Sequence, residues 1–337
     1  MGTTTDKLNK LLETKEAIKT AIKSKNVSVS DSDPFSSYPS KISEISTGGG
    51  TGSTGGLDWS AIGYSEQPES LTDGFNYAKQ IYNKWNSKET SLFYNGNSNL
   101  VFFPLVDTSN VTSLYNAFYG CSSLISMPLI DTSKVTTFEK AFYNCSSLKD
   151  IALLDMSSAT TLKQAFYGCS LKNIPLFDTS NIQNFQNAFE NCSSIETVPS
   201  FDMSSATITT NMFYKCNSLK TVSSLNTINV TDMSSMFSWS SNLETVGKLN
   251  ADKVTNIKNI FYYCNKLTNL GGFTNLSIDL DLTSSNYITA NSILNVINEA
   301  KDLSTEGKTA TLTIGSKVGL LTEDQIAIAT AKGWTLA

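Results

Sequence analysis

The chain has 337 residues, 25 Lys and Arg against 30 Asp and Glu, a formal net charge of −5 and no histidine. That length suits one extended array with smaller flanking units better than a single globular core. The mild acidity argues against nucleic acid as a main partner, because phosphate binding needs a basic stripe. The missing histidine removes Ser-His-Asp and Cys-His catalysis together with histidine-ligated zinc. No apolar run approaches the ~20 residues of a membrane span, and Met1 to Lys7 lead into no apolar signal-peptide core.

Residues 1–45 read as helical. Leu8, Leu11, Ile18 and Ile22 fall at a and d positions of a helix over 5–25, which Asp6 can cap. Asp33-Pro34 then opens a second short piece with Phe35, Tyr38, Ile42 and Ile45 on its apolar side. This pair of segments is expected to dock and oligomerise the chain; the plainer alternative is a helix packed on its own neighbour. Residues 46–56, rich in Gly, Ser and Thr, form a flexible linker. Residues 57–100 close the start of the array, with a helix marked by Ala78, Ile81, Tyr82 and Trp85.

From 101 to 270 one pattern recurs seven times, with phenylalanines at 118, 142, 166, 189, 213, 237 and 261. The period is 24, shortened once to 23 between Cys169 and Cys192. Such a fixed period is the signature of a solenoid. Val111, Leu114, Ala117 and Phe118 have the i, i+3, i+6, i+7 spacing of one helix face, and the same offsets return in each repeat. A short helix per repeat is therefore expected, capped by Asp107, Asp131, Asp155, Asp178 or Asp202, then by Asn226 or Asn250. Short parallel strands are expected after Leu124, Leu148, Leu171, Ile195, Leu219, Leu243 and Leu267, kept brief by Pro128, Pro175 and Pro199. Cys121, Cys145, Cys169, Cys192, Cys216 and Cys264, with Ser240 in the sixth repeat, read as a ladder of small buried thiols. Residues 271–337 form the closing cap: a helix over 291–300, a strand over 309–314, a capping box from Thr322 to Gln325, and a glycine stop at Gly333.

The run Phe-Tyr-x-Cys-Ser-Ser-Leu from Phe118 and again from Phe142, followed by Asp-Thr-Ser-x-Val-Thr, resembles the BspA-like leucine-rich repeat of bacterial surface proteins. The resemblance implies an α/β solenoid of short strands and helices, and a non-enzymatic adhesion role without naming a ligand. The amino-terminal segment, from Leu11 through Tyr38, resembles attachment segments of bacteriophage tail fibres and other virion fibres.

Binding is a better candidate than chemistry. Tyr119, Tyr143, Tyr167, Tyr214 and Tyr262 follow the repeat phenylalanines, and Trp239 stands one place later in its repeat. They either display flat apolar faces with polar tips or pack between repeats. A second candidate face is the strand side, where Asp150, Asn173, Thr197, Thr221, Thr245 and Asn269 should point outward. Capping explains the Asp ladder more simply than calcium does, and strand alternation explains Asp279 and Asp281 more simply than carboxylate catalysis. The expected protein is a structural component of a bacteriophage particle, a fibre or decoration. Its amino terminus would dock to other virion proteins as a homo-oligomer, a trimer rather than a dimer. Its repeats would contact a host surface protein or glycan. No cofactor, metal, nucleic acid or membrane insertion is expected. The alternatives are a bacterial cell-surface adhesin and, further off, a carboxylate-based glycan hydrolase.

Overall fold

The computed structural model describes residues 108–337, with Ser98, Leu100 and Phe103 ahead of them. Backbone contacts divide the chain into Met1–Asn83 and Lys84–Ala337, and every described residue belongs to the second unit. The expected docking segment with Leu8, Leu11, Ile18, Ile22, Phe35 and Tyr38, the linker, the opening helix near Trp85 and the Asp107 cap lie outside the described residues.

Each repeat is one rung of a parallel stack. Two-residue strands β1 (Ser126–Met127) and β2 (Asp150–Ile151) pair with each other, and β3 (Thr197–Val198), β4 (Thr221–Val222), β5 (Thr245–Val246) and β7 (Asn269–Leu270) form a four-stranded ladder. β6 (Leu249–Asn250) pairs with β8 (Phe273–Thr274), also in parallel. A second line of parallel bridges joins Thr137, Thr161, Asn184, Ile208, Asp232 and Asn256 in successive rungs. The strand expected after Leu171 is absent. Its rung has one residue fewer between Cys169 and Leu171 than its neighbours have, and the ladder breaks there, with only a long Lys172 N–H to Lys149 carbonyl contact of 3.4 Å.

The expected helix of each repeat is not formed. In the first rung Ala117 N–H donates to Leu114, Tyr119 to Asn116 and Cys121 to Phe118, a chain of tight turns. The alternate amides donate to the next rung instead: Leu114 to Thr137, Asn116 to Glu139, Phe118 to Ala141 and Gly120 to Tyr143, at 2.7–3.1 Å. Two left-handed residues per rung cause the alternation, here Asn116 (φ 56°) and Gly120 (φ 71°). A left-handed residue reverses the peptide's direction and cannot continue an α-helix. The apolar spacing of three that suggested a helix face is the period of these turns.

The Asp ladder is also corrected. Asp131, Asp155 and Asp178 each accept from the backbone N–H and hydroxyl of the serine two residues on, and Asp202 accepts from the Ser204 N–H. These are Asx-turns rather than helix caps. Thr108, Thr179 and Thr227 send their buried hydroxyls to the carbonyl of the next rung's Asp or Asn at 2.7–2.8 Å.

The interior is a column of stacked rings. Phe118, Phe142, Phe166, Phe189, Phe213, Phe237 and Phe261 follow one another at 5.2–5.9 Å between centroids, with nearly parallel planes, and all are buried. Beside them runs the thiol ladder. Cys145, Cys169, Cys192, Cys216 and Cys264 each point Sγ at the phenylalanine carbonyl of the preceding rung, at 2.9–3.2 Å. Ser240 Oγ makes the same bond to Phe213 at 2.8 Å, which is why a serine fits the sixth position.

All six cysteines are free and buried. Burial pushes the thiols of Cys192 and Cys264 up to about 12, and those of Cys169 and Cys216 upward as well. All six are also shut away from solvent, so Ellman's reagent at pH 8 should label none of them in the folded chain and all six after unfolding. Because the folded pKa lies above the unfolded one, the protonated thiols stabilise the fold fully below about pH 9. That contribution is lost as pH rises towards 12, so the denaturation midpoint should fall across that window.

The closing cap follows the sequence closely. Helix α1 (Ala290–Glu299) starts at Thr289, which accepts from Ser292 N–H, and buries Ile293, Val296 and Ile297; Leu294 is only half-buried. Strands β9 (Leu280–Asp281), β10 (Ala310–Thr313) and β11 (Trp334–Leu336) form a parallel sheet with β10 central. Helix α2 (Glu323–Ala331) carries the full Thr322–Gln325 capping box, and Gly333 turns out of it at φ 80°. Among the described residues no helix is long and apolar enough to cross a membrane.

Candidate functional site

The turns of successive rungs line up along one edge of the array. Their second left-handed position is filled by Gly120, Asn144, Gly168, Asn191, Lys215, Trp239 and Tyr263 in order. Gly and Asn adopt this conformation readily, whereas bulky side chains there are outliers. The last two rungs place large aromatics at it, with φ 64° at Trp239 and 59° at Tyr263.

The residue just before that position gives the column of Tyr119, Tyr143 and Tyr167. These rings stack rung on rung at 4.7 and 4.4 Å, almost parallel, and are half-buried. Asn191 donates to the Tyr167 hydroxyl at 2.9 Å. Burial, then the flanking phenols of Tyr167 and Tyr119, raise the pKa of Tyr143. Glu190 replaces tyrosine in the fourth rung. Burial raises its carboxyl pKa, against the opposing pull of the Asn187 amide, to which it is hydrogen-bonded, and of Lys215. The stack thus packs three predicted residues between rungs, offering ring edges and hydroxyls rather than open faces.

Beyond Glu190 the edge changes character. Lys215 Nζ lies 5.2 Å from the Tyr214 ring centre and 6.0 Å from that of Trp239. Trp239 and Tyr263 stack at 4.1 Å and 6°. Tyr262 crosses them at 77° and 83°. These three rings are 39–44% exposed, so they form a contiguous aromatic corner open to water. Tyr263 is the residue that sequence reading missed. Its signal was available: it occupies the repeat position of Trp239 one rung later.

The strand side holds the other predicted residues. Asp150, Asn173, Thr197 and Thr221 are exposed, as their frame requires, and Thr197 and Thr221 stand in register on β3 and β4. Asp150 and Asn173 border a shallow groove with Lys149, Lys172 and Glu196. The Lys172–Glu196 pair across it, at 3.7 Å and solvent-exposed, is worth at most about 1 kcal/mol. Leu129, Leu153 and Leu176, which share one repeat position just past these strands, are also exposed, so this side carries apolar surface of its own, while the corner gathers the larger aromatic rings.

Asp279 and Asp281 are engaged structurally. Asp279 accepts from Thr311 N–H at 2.7 Å and Asp281 from Thr283 N–H and hydroxyl. Among the described residues no group of three or more Cys, Asp or Glu side chains is placed to hold a metal ion.

The parallel two-residue strands, the tight turns and the ring column define a leucine-rich-repeat solenoid. The BspA type leucine rich repeat region matches this chain in six copies, over residues 80–196, 139–268 and 185–295. The matches span well over half of the chain, which therefore belongs to the BspA-type leucine-rich repeat family, a non-enzymatic interaction repeat. No curated protein matches it.

Proposed function

We propose that this chain is a non-enzymatic adhesion module displayed on a surface, with the turn edge of its array as the contact face. The observation that carries this reading is the corner of Trp239, Tyr262 and Tyr263. Three large rings are left in water side by side, two of them on backbone that disfavours them. Contact residues of binding surfaces are typically Trp and Tyr gathered in one place. The family match supports an adhesin-type role.

The surface in this proposal is that of a bacteriophage particle. The support is the sequence of residues 1–45, with its a and d pattern and likeness to virion-fibre attachment segments, and the tether at 46–56. That segment would dock to other virion proteins and assemble the chain as a homo-oligomer, a trimer in the first instance. The second reading, a bacterial cell-surface adhesin, is favoured by the family match itself. Immunogold labelling separates them: gold on particles supports the virion reading, and gold confined to cell envelopes replaces it with the second. In either case purified full-length chain should block adhesion of whatever carries it. No competition at saturating protein would defeat the adhesion reading.

A further inference from the structure

We infer that the corner formed by Trp239, Tyr262 and Tyr263 is a neutral-glycan subsite, with Lys215 and Asn259 at its rim. The inference rests on the adhesion reading above and deepens it by naming the ligand class.

Geometry comes first. The parallel Trp239 and Tyr263 rings cover each other's inner faces, and together with the crossing Tyr262 ring they still leave 39–44% of each residue in water, in two perpendicular orientations on one corner. Aromatic faces carry negative quadrupole charge and attract polarised C–H groups, which a pyranose displays on its less hydroxylated face.

Backbone strain is the second argument. A left-handed conformation costs a non-glycine residue about 1–2 kcal/mol. Each of the three ring contacts at the corner returns about 0.5–1.5 kcal/mol. Stacking is therefore about the size of the strain at the two positions and leaves no surplus that calls for rings there, while Gly120 and Gly168 hold the same position without strain. The rings are better explained by what they touch outside the chain.

The polar surroundings decide the class. Asn259 and Lys215 are exposed at the neighbouring turn positions, and Asn211 and Ser235 are partly so. This is amide, hydroxyl and ammonium chemistry, suited to ligand hydroxyls. All 25 basic residues of the chain are lysines. Arginine is the side chain suited to paired recognition of carboxylate and phosphate, and it is prominent at protein contact sites. Its absence disfavours acidic polymers at this corner. The charge of Lys215 is already faced by Glu190.

The test uses the full chain and two variants, Trp239→Gly and Tyr263→Gly, on a printed array of neutral and acidic oligosaccharides, with thermal melting in parallel. Glycine suits the left-handed backbone, so these variants remove the ring without straining the fold. The expected result is retention of the parent on neutral oligosaccharides, and about ten-fold or greater loss in each variant, with melting unchanged or raised. Retention unaffected by either variant would overturn the site. Retention on acidic glycans alone, or on none, would overturn the ligand class while the competition assay judges the adhesion reading separately. A drop in melting temperature in both variants would show the rings to be structural, and would overturn the inference.

Discussion

Phe189→Ala should destabilise the array by about 3–5 kcal/mol. Phe189 sits mid-column, fully buried, between Phe166 at 5.3 Å and Phe213 at 5.6 Å, with Phe201 at 6.0 Å beside it. Removing it breaks three stacked contacts and opens a cavity in the shared core. The surroundings cannot close that cavity, because inter-rung hydrogen bonds fix the rise on both sides: Phe189 N–H to Met212 and Phe166 N–H to Ala188. Chemical denaturation monitored by circular dichroism measures the loss. Truncating Leu176, which is 54% exposed, serves as the comparison and should change stability by less than about 0.5 kcal/mol.

Gly247→Ala is the second. A Cβ at Gly247 would lie 2.4 Å from the backbone nitrogen of Ser224 and 2.8 Å from its Cα. Backbone cannot swing aside as a flexible side chain can, so the rungs must part. The expected cost is about 1–3 kcal/mol, read from the same denaturation curves. The close approach has a purpose. Gly247 and Gly271 follow β5 and β7 directly and let the chain run tight enough for β6 and β8 to pair as an extra ladder. Gly319→Ala, where a Cβ meets nothing, should be nearly silent.

The repeat period, the inward phenylalanines, the thiol ladder and the closing cap were all legible in the sequence. Each is set by side-chain burial at fixed spacing, which a single chain displays directly. The turns were not. Leu114, Ala117 and Phe118 satisfy a helix face and a run of three-residue turns equally well. What distinguishes them is backbone handedness. Its trace was the recurring Asn or Gly at 116, 120, 144, 168, 187, 191, 211 and 259, residues that tolerate the left-handed region. The Asp ladder was misread as capping for the same reason, since an Asx-turn and a helix start use the same oxygen. Rung three lost its strand to a single deletion after Cys169, too small a change to weigh against an otherwise intact Leu171-x-x-Ile174 motif. On the turn edge, the sequence marked Trp239 and Tyr262 but gave no way to tell exposed rings from the packed Tyr119–Tyr143–Tyr167 stack. That difference lies in Trp239 and Tyr263 taking the left-handed position, with Tyr262 packed across them.

Spin-label distances along the strand column test the stacking most directly. The native thiols are buried, so cysteines introduced at the exposed or half-exposed positions Asp150, Thr221, Thr245 and Asn269 take the label selectively. Pairing the Asp150 site with each of the others in turn should give distances that lengthen by about 4.8 Å per added rung, with the Asn269 pair the longest. Distances that fail to grow in equal steps, or that shorten between Thr221 and Asn269, would contradict a stack of two-dozen-residue rungs around one aromatic column.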